Sequence, residues 1–405
     1  MPTIALLGTM DTKGDEHGFV AEQIRARGHQ TLVIDVGTAG EPRLQPDVTR
    51  EEVARAAGLD LAALIQRHDR GECVAAMAQA AAIILGKLQT EGKIDGVISL
   101  GGGGGTAIAT AGMRALPLGF PKLMVSTLAS GNTAQYVGVK DIVMMPSIVD
   151  VAGLNRVSRT ILTRAAGAIC GMVEVQPPDA DDKPIIAASM FGNTTDCVQA
   201  AKSILEKAGY EVLVFHATGT GGRTMESLIE SGLVAGVLDI TTTEWADEIC
   251  GGFLSAGPTR LEAAARMGIP QIVVPGCLDM VNFHAPETVP ARYAHRRFYH
   301  HNPQVTLMRT DADECAKLGE VLAEKVNAAD GPVTVLLPRK AVSVISAPGQ
   351  PFHDPEADIA LFAAIKANLR PDIRLLEMDC EINDPEFATA CAESLLAHMS
   401  ESPKA

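Results

Sequence analysis

Aromatic side chains are scarce in this chain: 4% of 405 residues, with one Trp and four Tyr. That scarcity speaks against sandwiches and barrels of aromatic-laden strands, and the abundance of Ala, Gly and Val speaks for parallel sheets covered by Ala-rich helices. Positive charge is also short, 34 Lys and Arg against 49 Asp and Glu. The resulting net charge of −15 argues against nucleic acid and against anionic membranes as partners. It does not exclude ATP, because local amides and a few basic groups outweigh a distant field. The eight cysteines form no CxxC pair and no zinc spacing, which reads as buried thiols in a reducing compartment. No uninterrupted apolar stretch reaches membrane-spanning length, and the start MPTIALLGTMD opens as a strand without a basic region and cleavage site. A cytoplasmic location is expected. Neither GxGxxG nor GxxxxGK(S/T) is present, so the standard dinucleotide fingerprint and the P-loop are both missing.

What is present is a repeated alternation of strand and helix. The segment from Ile4 to Gly40 aligns without a gap on the segment from Ile185 to Gly221, with Asp15 on Asp196 and Gly28 on Gly209. Pro121–Ser126 resembles Pro270–Pro275, and Asp141–Met145 resembles Gln304–Met308. An α/β protein of two lobes is expected, each a mostly parallel sheet flanked by helices, related by internal duplication. The boundaries read as 1–175 for the first lobe, 184–400 for the second, and the proline-rich 176–183 as linker. A helix over 49–67 starts with a capping box, Thr49 with Glu52, and a second, Ala-rich helix covers about 72–90. Further elements are expected near 333–337, 355–368, 373–377 and 385–398, with a mobile tail from Ser400 to Ala405.

Ligands of open α/β sheets sit beyond the carboxyl ends of the strands, so the loops there carry the search for chemistry. The most informative is Gly101, Gly102, Gly103, Gly104 and Gly105, which follows the apolar run Gly96–Leu100 and leads into Thr106 and a small-residue helix. Bare amides at a helix start suit a phosphate chain. Thr9, Met10, Asp11, Thr12 and Lys13 add hydroxyls, an ammonium group and further helix-start amides. Asp35, before Gly37 and Thr38, is placed to accept ribose hydroxyls. Ser126, Thr127, Ser130, Gly131 and Asn132 form a loop dense in small donors, suited to phosphate oxygens or magnesium water. Asp150 is the candidate metal contact. The corresponding second-half loops lack the glycine run and the lysine, so one nucleotide per chain is expected, in the first lobe.

The second half gathers other polar residues. Arg260, Asp279, Asn282 and His301 are the candidate catalytic set, within a stretch that also holds Arg292, His295, Arg296, Arg297, His300 and Arg309. Histidine as general base and arginine as carboxylate clamp would serve a small acidic substrate in the cleft between the lobes.

The stretches GTMDTKGDE, GGGGGT, VSTLASGN, DIVMMPSIVDVAGLN, GPTRLEAAARMGIPQ, PGCLDMVNF and HNPQVTLMRT run through nearly the whole chain. They are similar to the nucleotide-binding family typified by the N-terminal domain of the tomato mosaic virus resistance protein, whose bacterial members are largely uncharacterised. The resemblance implies two Rossmann-like lobes, ATP with Mg2+ in the first, and a homodimer; the plant protein carries a further TIM-barrel-like domain, which is not expected here. Three functions follow as expectations. An ATP-using or ATP-regulated enzyme acting on a small acidic metabolite leads. A non-catalytic nucleotide-dependent binding module is the alternative, and an NAD-dependent dehydrogenase, resting on the βαβ pattern and Asp35, stands last.

Overall fold

A computed structural model describes residues 1–176 and 182–401. Residues 177–181 of the expected linker and 402–405 of the expected tail lie outside the described residues, while Ser400 belongs to the last helix. The chain divides into two compact units after residue 180.

In the first unit, strands of four to six residues alternate with helices. The strands are β1 (Thr3–Gly8), β2 (Gln30–Asp35), β3 (Gly96–Gly101), β4 (Lys122–Ser126) and β5 (Val143–Pro146). They form one parallel sheet in the order β2-β1-β3-β4-β5. The helices are α1 (Met10–Arg25), α2 (Arg50–Ala56), α3 (Leu61–Gln66), α4 (Arg70–Thr90), α5 (Gly103–Arg114), α6 (Ala134–Val137) and α7 (Arg156–Glu174). Strand side chains alternate between two cores, as a pleat of period two requires. Ile4 and Leu6 pack with Val20 and Ile24 of α1 and Leu162 and Ile169 of α7. Ala5 and Leu7 pack on the other face with Met77 and Leu85 of α4 and Ile108 of α5. By length and hydropathy α4 would also suit a membrane, yet Met77, Ala80, Ala81, Ile84 and Leu85 are buried in this core.

The expected helix over 49–67 is two helices. The Thr49–Glu52 capping box starts α2, Gly58 then takes φ +68°, and Asp60 caps α3 afresh by accepting the Ala63 N–H. A left-handed glycine ends a helix, and a new N-cap begins another. Likewise α4 begins two residues before the expected start, because Asp69 accepts the Glu72 N–H.

The second unit holds β6 (Ile185–Met190), β7 (Glu211–His216), β8 (Gly236–Thr241), β9 (Gln271–Gly276), β10 (Met280–Phe283), β11 (Phe298–Asn302), β12 (Val305–Arg309), β13 (Val333–Pro338) and β14 (Arg374–Met378). Its helices are α8 (Thr195–Lys207), α9 (Thr220–Glu230), α10 (Glu244–Cys250), α11 (Ala263–Met267), α12 (Ala312–Asn327), α13 (Pro355–Asn368) and α14 (Pro385–Glu401). The parallel sheet runs β7-β6-β8-β9-β13-β14, repeating the strand order of the first unit with one strand added. One part of the internal alignment is corrected. The 304–308 segment, β12, is not the counterpart of β5. It lies between β10 and β11 in a separate antiparallel sheet, and β13 is the parallel neighbour of β9. The two segments share an apolar pattern, and that pattern does not specify which sheet a strand joins.

Candidate functional site

The carboxyl ends of β1, β2 and β3 open onto a cavity of about 510 Å3. Its wall gathers Thr9, Asp11, Thr12 and Lys13 from the start of α1, Val36, Thr38 and Ala39 after β2, and Gly101–Gly105 after β3. Arg70, Val74, Ile108 and Asp150 complete it. Four loops far apart in sequence meet there because parallel strands deliver all their exits to one edge of the sheet.

The glycine run is built as an anion cradle. Gly102 takes the N-cap place of α5 with no side-chain cap, and Thr106 is the first residue whose N–H returns to it, at 2.8 Å. The preceding N–H groups have no intrahelical acceptor and stand at the cavity wall with the positive end of the helix dipole. A Cβ at Gly103 would meet nothing within 4 Å, whereas one at Gly104 would approach Arg70 Nη2 at 3.7 Å and Val74 Cγ2 at 3.5 Å. The exposed Arg70 guanidinium therefore stands over the helix start, and it has no ion-pair partner among the described residues. Sequence reasoning missed it. Its one signal was a cation at the first turn of α4, which became meaningful only once α4 packed beside α5.

The opposite wall is held by carboxylates. The Asp11 carboxylate accepts the N–H groups of Ala39 at 2.7 Å and Gly40 at 3.1 Å, and its Oδ1 is buried without a partner. A Cβ at Gly37 would lie 2.7 Å from that carboxylate, so only glycine fits there. Asp35 Oδ1 accepts the N–H groups of Met10 at 2.9 Å and Gly37 at 2.8 Å. Burial raises the Asp35 pKa, against those two bonds. Lys13 leaves helical geometry at φ −128° and donates to the Val151 carbonyl, tying α1 to the Asp150 loop.

Several expected contacts do not line this cavity. Asp35 sits behind its wall and orders the loop after β2 instead of facing a ribose; Met10 is buried beside it. Thr106 and Ser126 are fully buried, and their hydroxyls meet at 2.7 Å, joining α5 to β4. Asn132 accepts the Ala134 N–H at 3.0 Å and serves the turn; neither it nor Gly131 borders the cavity.

A second cavity, of about 290 Å3, lies over the ends of β4 and β5. Ser126, Thr127, Ser130, Ser147, Ile148, Val149 and Asp150 line it, and Asp150 is common to both cavities. Ile148 holds φ +66° with its side chain 71% exposed. A β-branched residue in that conformation is strained.

In the second unit three of the four expected catalytic residues, Arg260, Asp279 and Asn282, are buried among hydrogen-bond partners. Arg260 is 1% exposed and bonds Asp239 at 2.5 and 2.6 Å, Glu244 at 2.7 Å and Glu226 at 3.2 Å. Burial opposes its charge, yet the three acids together raise its pKa. No free guanidinium remains there to clamp an acidic substrate. Glu244 also accepts the N–H groups of Gly219 at 2.7 Å and Gly222 at 3.0 Å, so a carboxylate of the chain itself fills the mouth of α9. Asn282 is fully buried and donates to Asp247 at 2.8 Å; burial pushes the Asp247 pKa up to about 7. Asp279, fully buried, accepts the Ser343 hydroxyl at 2.8 Å and is pushed up to about 6 by burial, against the nearby Arg309. His301 is exposed on β11. Arg296 pairs with Asp311 and Glu314, and Arg309 with Asp358.

Residues 2–178 match the N-terminal domain, and residues 183–399 the C-terminal domain, of the uncharacterised protein family UPF0261. A UPF0261 protein of Clostridium tetani is 51% identical over 398 residues, covering 98% of both chains. The tomato mosaic virus resistance protein Tm-1(GCR237) of Solanum lycopersicum is 40% identical over 420 residues, covering 98% of this chain and 55% of the plant protein. Among solved structures, MurG of Acinetobacter baumannii aligns over 98% of this chain and 95% of its own, at 11% identity and a TM-score of 0.22. A UDP-N-acetylglucosamine 2-epimerase of Rickettsia bellii covers 67% of this chain and 78% of its own at 10% identity and a TM-score of 0.23. Matched along both halves, the chain belongs to the uncharacterised protein family UPF0261.

Proposed function

We propose that the first lobe binds ATP with Mg2+ and that the chain is a cytoplasmic, homodimeric enzyme that uses or is regulated by that nucleotide. The observation that carries the reading is the larger cavity, where the uncapped glycine helix start, Lys13 and Arg70 share one wall with apolar Val36, Val74 and Ile108. Amides and cations suit a polyphosphate, and the apolar side chains suit a flat base. Its volume, about 510 Å3, lies in the ordinary range for small-molecule sites. Hard oxygen donors fit magnesium: the partnerless Oδ1 of Asp11, the exposed Asp150 carboxylate and the Thr9 and Thr12 hydroxyls. When bound, the ion would offset the charge of the phosphates beside these acids. Eight buried, unpaired cysteines support a reducing compartment.

NAD fits less well, because Asp35 is committed to backbone amides. A binding module without turnover is the second reading. It rests on the cavity wall, whose titratable side chains are Asp11, Lys13, Arg70 and Asp150, with no Cys or His for a nucleophile–base pair. Thermal-shift titration tests the ligand, since selective native-state binding raises the melting temperature. Mg-ATP should raise it, NAD should not, and Arg70→Ala should weaken the response. No response to millimolar Mg-ATP overturns the reading, and ADP release over time separates enzyme from module.

A further inference from the structure

We propose that the smaller cavity is a second-substrate subsite for an uncharged, polyhydroxylated small molecule. The word second rests on the nucleotide reading of the larger cavity; the ligand class rests on the smaller cavity alone.

Strand order sets the arrangement. The exits of β2, β1 and β3 serve the larger cavity, and those of β4 and β5, next along the same sheet, serve the smaller one. Asp150 stands at the boundary of both. The larger cavity has room for a complete small-molecule ligand, in the range of about 300–1,000 Å3, so the further 290 Å3 is space that such a ligand does not need.

The lining selects the occupant. Thr127, Ser130 and Ser147 present hydroxyls, and the Ser147 hydroxyl donates to the Val149 carbonyl, which leaves its oxygen free to accept. Asp150 is the sole charged side chain that lines this cavity; Lys13 and Arg70 line the larger one. With no ion on Asp150, an anionic substrate would meet that carboxylate with no cation in the lining of its own cavity, a repulsion of about 4 kcal/mol for unit charges at 4 Å in a protein-surface dielectric. A polyol meets complementary groups instead. Its hydroxyls donate to Asp150 and exchange bonds with the serines and threonine, and the exposed Ile148 side chain offers an apolar face to its C–H groups.

The test uses the full chain with ADP and EDTA, so that no ion sits on Asp150, and saturation-transfer NMR with glycerol, D-ribose and myo-inositol as probes, and glycerate as the anionic control. The expected result is transfer to at least one of the three polyols, none to glycerate, and loss of the polyol signal in Ser130→Trp, whose ring fills the cavity. Ser130→Ala should keep the signal, and Thr127→Trp replaces Ser130→Trp if that variant does not melt cooperatively. Silence from all three polyols, equal transfer to glycerate, or an unchanged signal in the tryptophan variant overturns the proposal. Calorimetry with Mg-ADP separates the two readings. Nucleotide heat without polyol transfer sinks this inference alone, and polyol transfer without nucleotide heat sinks the nucleotide reading.

Discussion

Replacing Gly103 by Asp isolates the anion cradle from the stability of the fold. Nothing lies within 4 Å of a Cβ at this position, so the new side chain enters without a clash. The folded state should hold or gain slightly: an acid in the first turn of α5 complements the helix dipole by about 0.3–1 kcal/mol. Losing glycine from the helix adds only about 0.3 kcal/mol more, because Asp is itself a weak helix former. Nucleotide binding should respond in the opposite direction. Two like charges at 4 Å repel by about 4 kcal/mol at an effective dielectric of 20. The cavity is open to solvent, so roughly half of that, about 2 kcal/mol, is the working figure, equivalent to an affinity about 30-fold weaker. Isothermal calorimetry with Mg-ATP reads this directly, with a thermal melt of the same preparation as the control for folding. Gly103→Asn supplies the side chain without the charge and should lose far less. If Gly103→Asp binds Mg-ATP as tightly as the parent, or Gly103→Asn loses as much, the phosphates do not lie on the glycine run.

Three further outcomes follow from packing and burial. Gly37→Ala forces a methyl to 2.7 Å from the Asp11 carboxylate and should cost about 1–3 kcal/mol in urea unfolding, with the nucleotide response weakened as the loop shifts. Arg260→Met strands three acids around one apolar side chain and should lose about 3–5 kcal/mol, because removing one partner of a buried pair leaves uncompensated charge; an unchanged urea midpoint would contradict this. Asp247 is held at about 7 by burial, above its unfolded value of about 3.9, so the folded chain keeps a proton that the unfolded chain has released between those values. Its stabilising effect is complete below about pH 4 and is lost as pH rises to about 7, at about 1.4 kcal/mol per pH unit. Asp279, at about 6, adds to the same slope. Urea midpoints from pH 5 to 8 should fall with pH, and less steeply in Asp247→Asn.

Much of the first lobe was legible because its signals are local. A strand of β-branched and aliphatic residues, a polar turn and a helix cap are set by neighbours in the chain, and Thr49 with Glu52 shows it: the capping box forms as read. The glycine run was legible for the same reason, since a helix entered through five glycines leaves its amides bare whatever surrounds it. For Arg260, Asp279 and Asn282 in the second lobe, burial and pairing were not legible in the sequence. An arginine or acid in a loop reads as chemistry until its partners are known, and here the partners come from distant segments: Asp239 and Glu226 for Arg260, Ser343 for Asp279, Asp247 for Asn282. Arg70 was missed for the converse reason, because it acquires a role only through the packing of α4 on α5.

By its own pattern, then, the chain determined the α/β class, the βαβ alternation, most element boundaries and the bare-amide helix start, all consequences of contacts between residues near in sequence. Tertiary structure alone decided which polar groups face a cavity and which face one another. It sent Asp35, Thr106 and Ser126 into the wall and Arg70 to the rim, and it set β12 in a separate sheet. The physical reason is that burial and pairing depend on which distant segments a parallel sheet brings side by side, and one-dimensional periodicity carries no record of that.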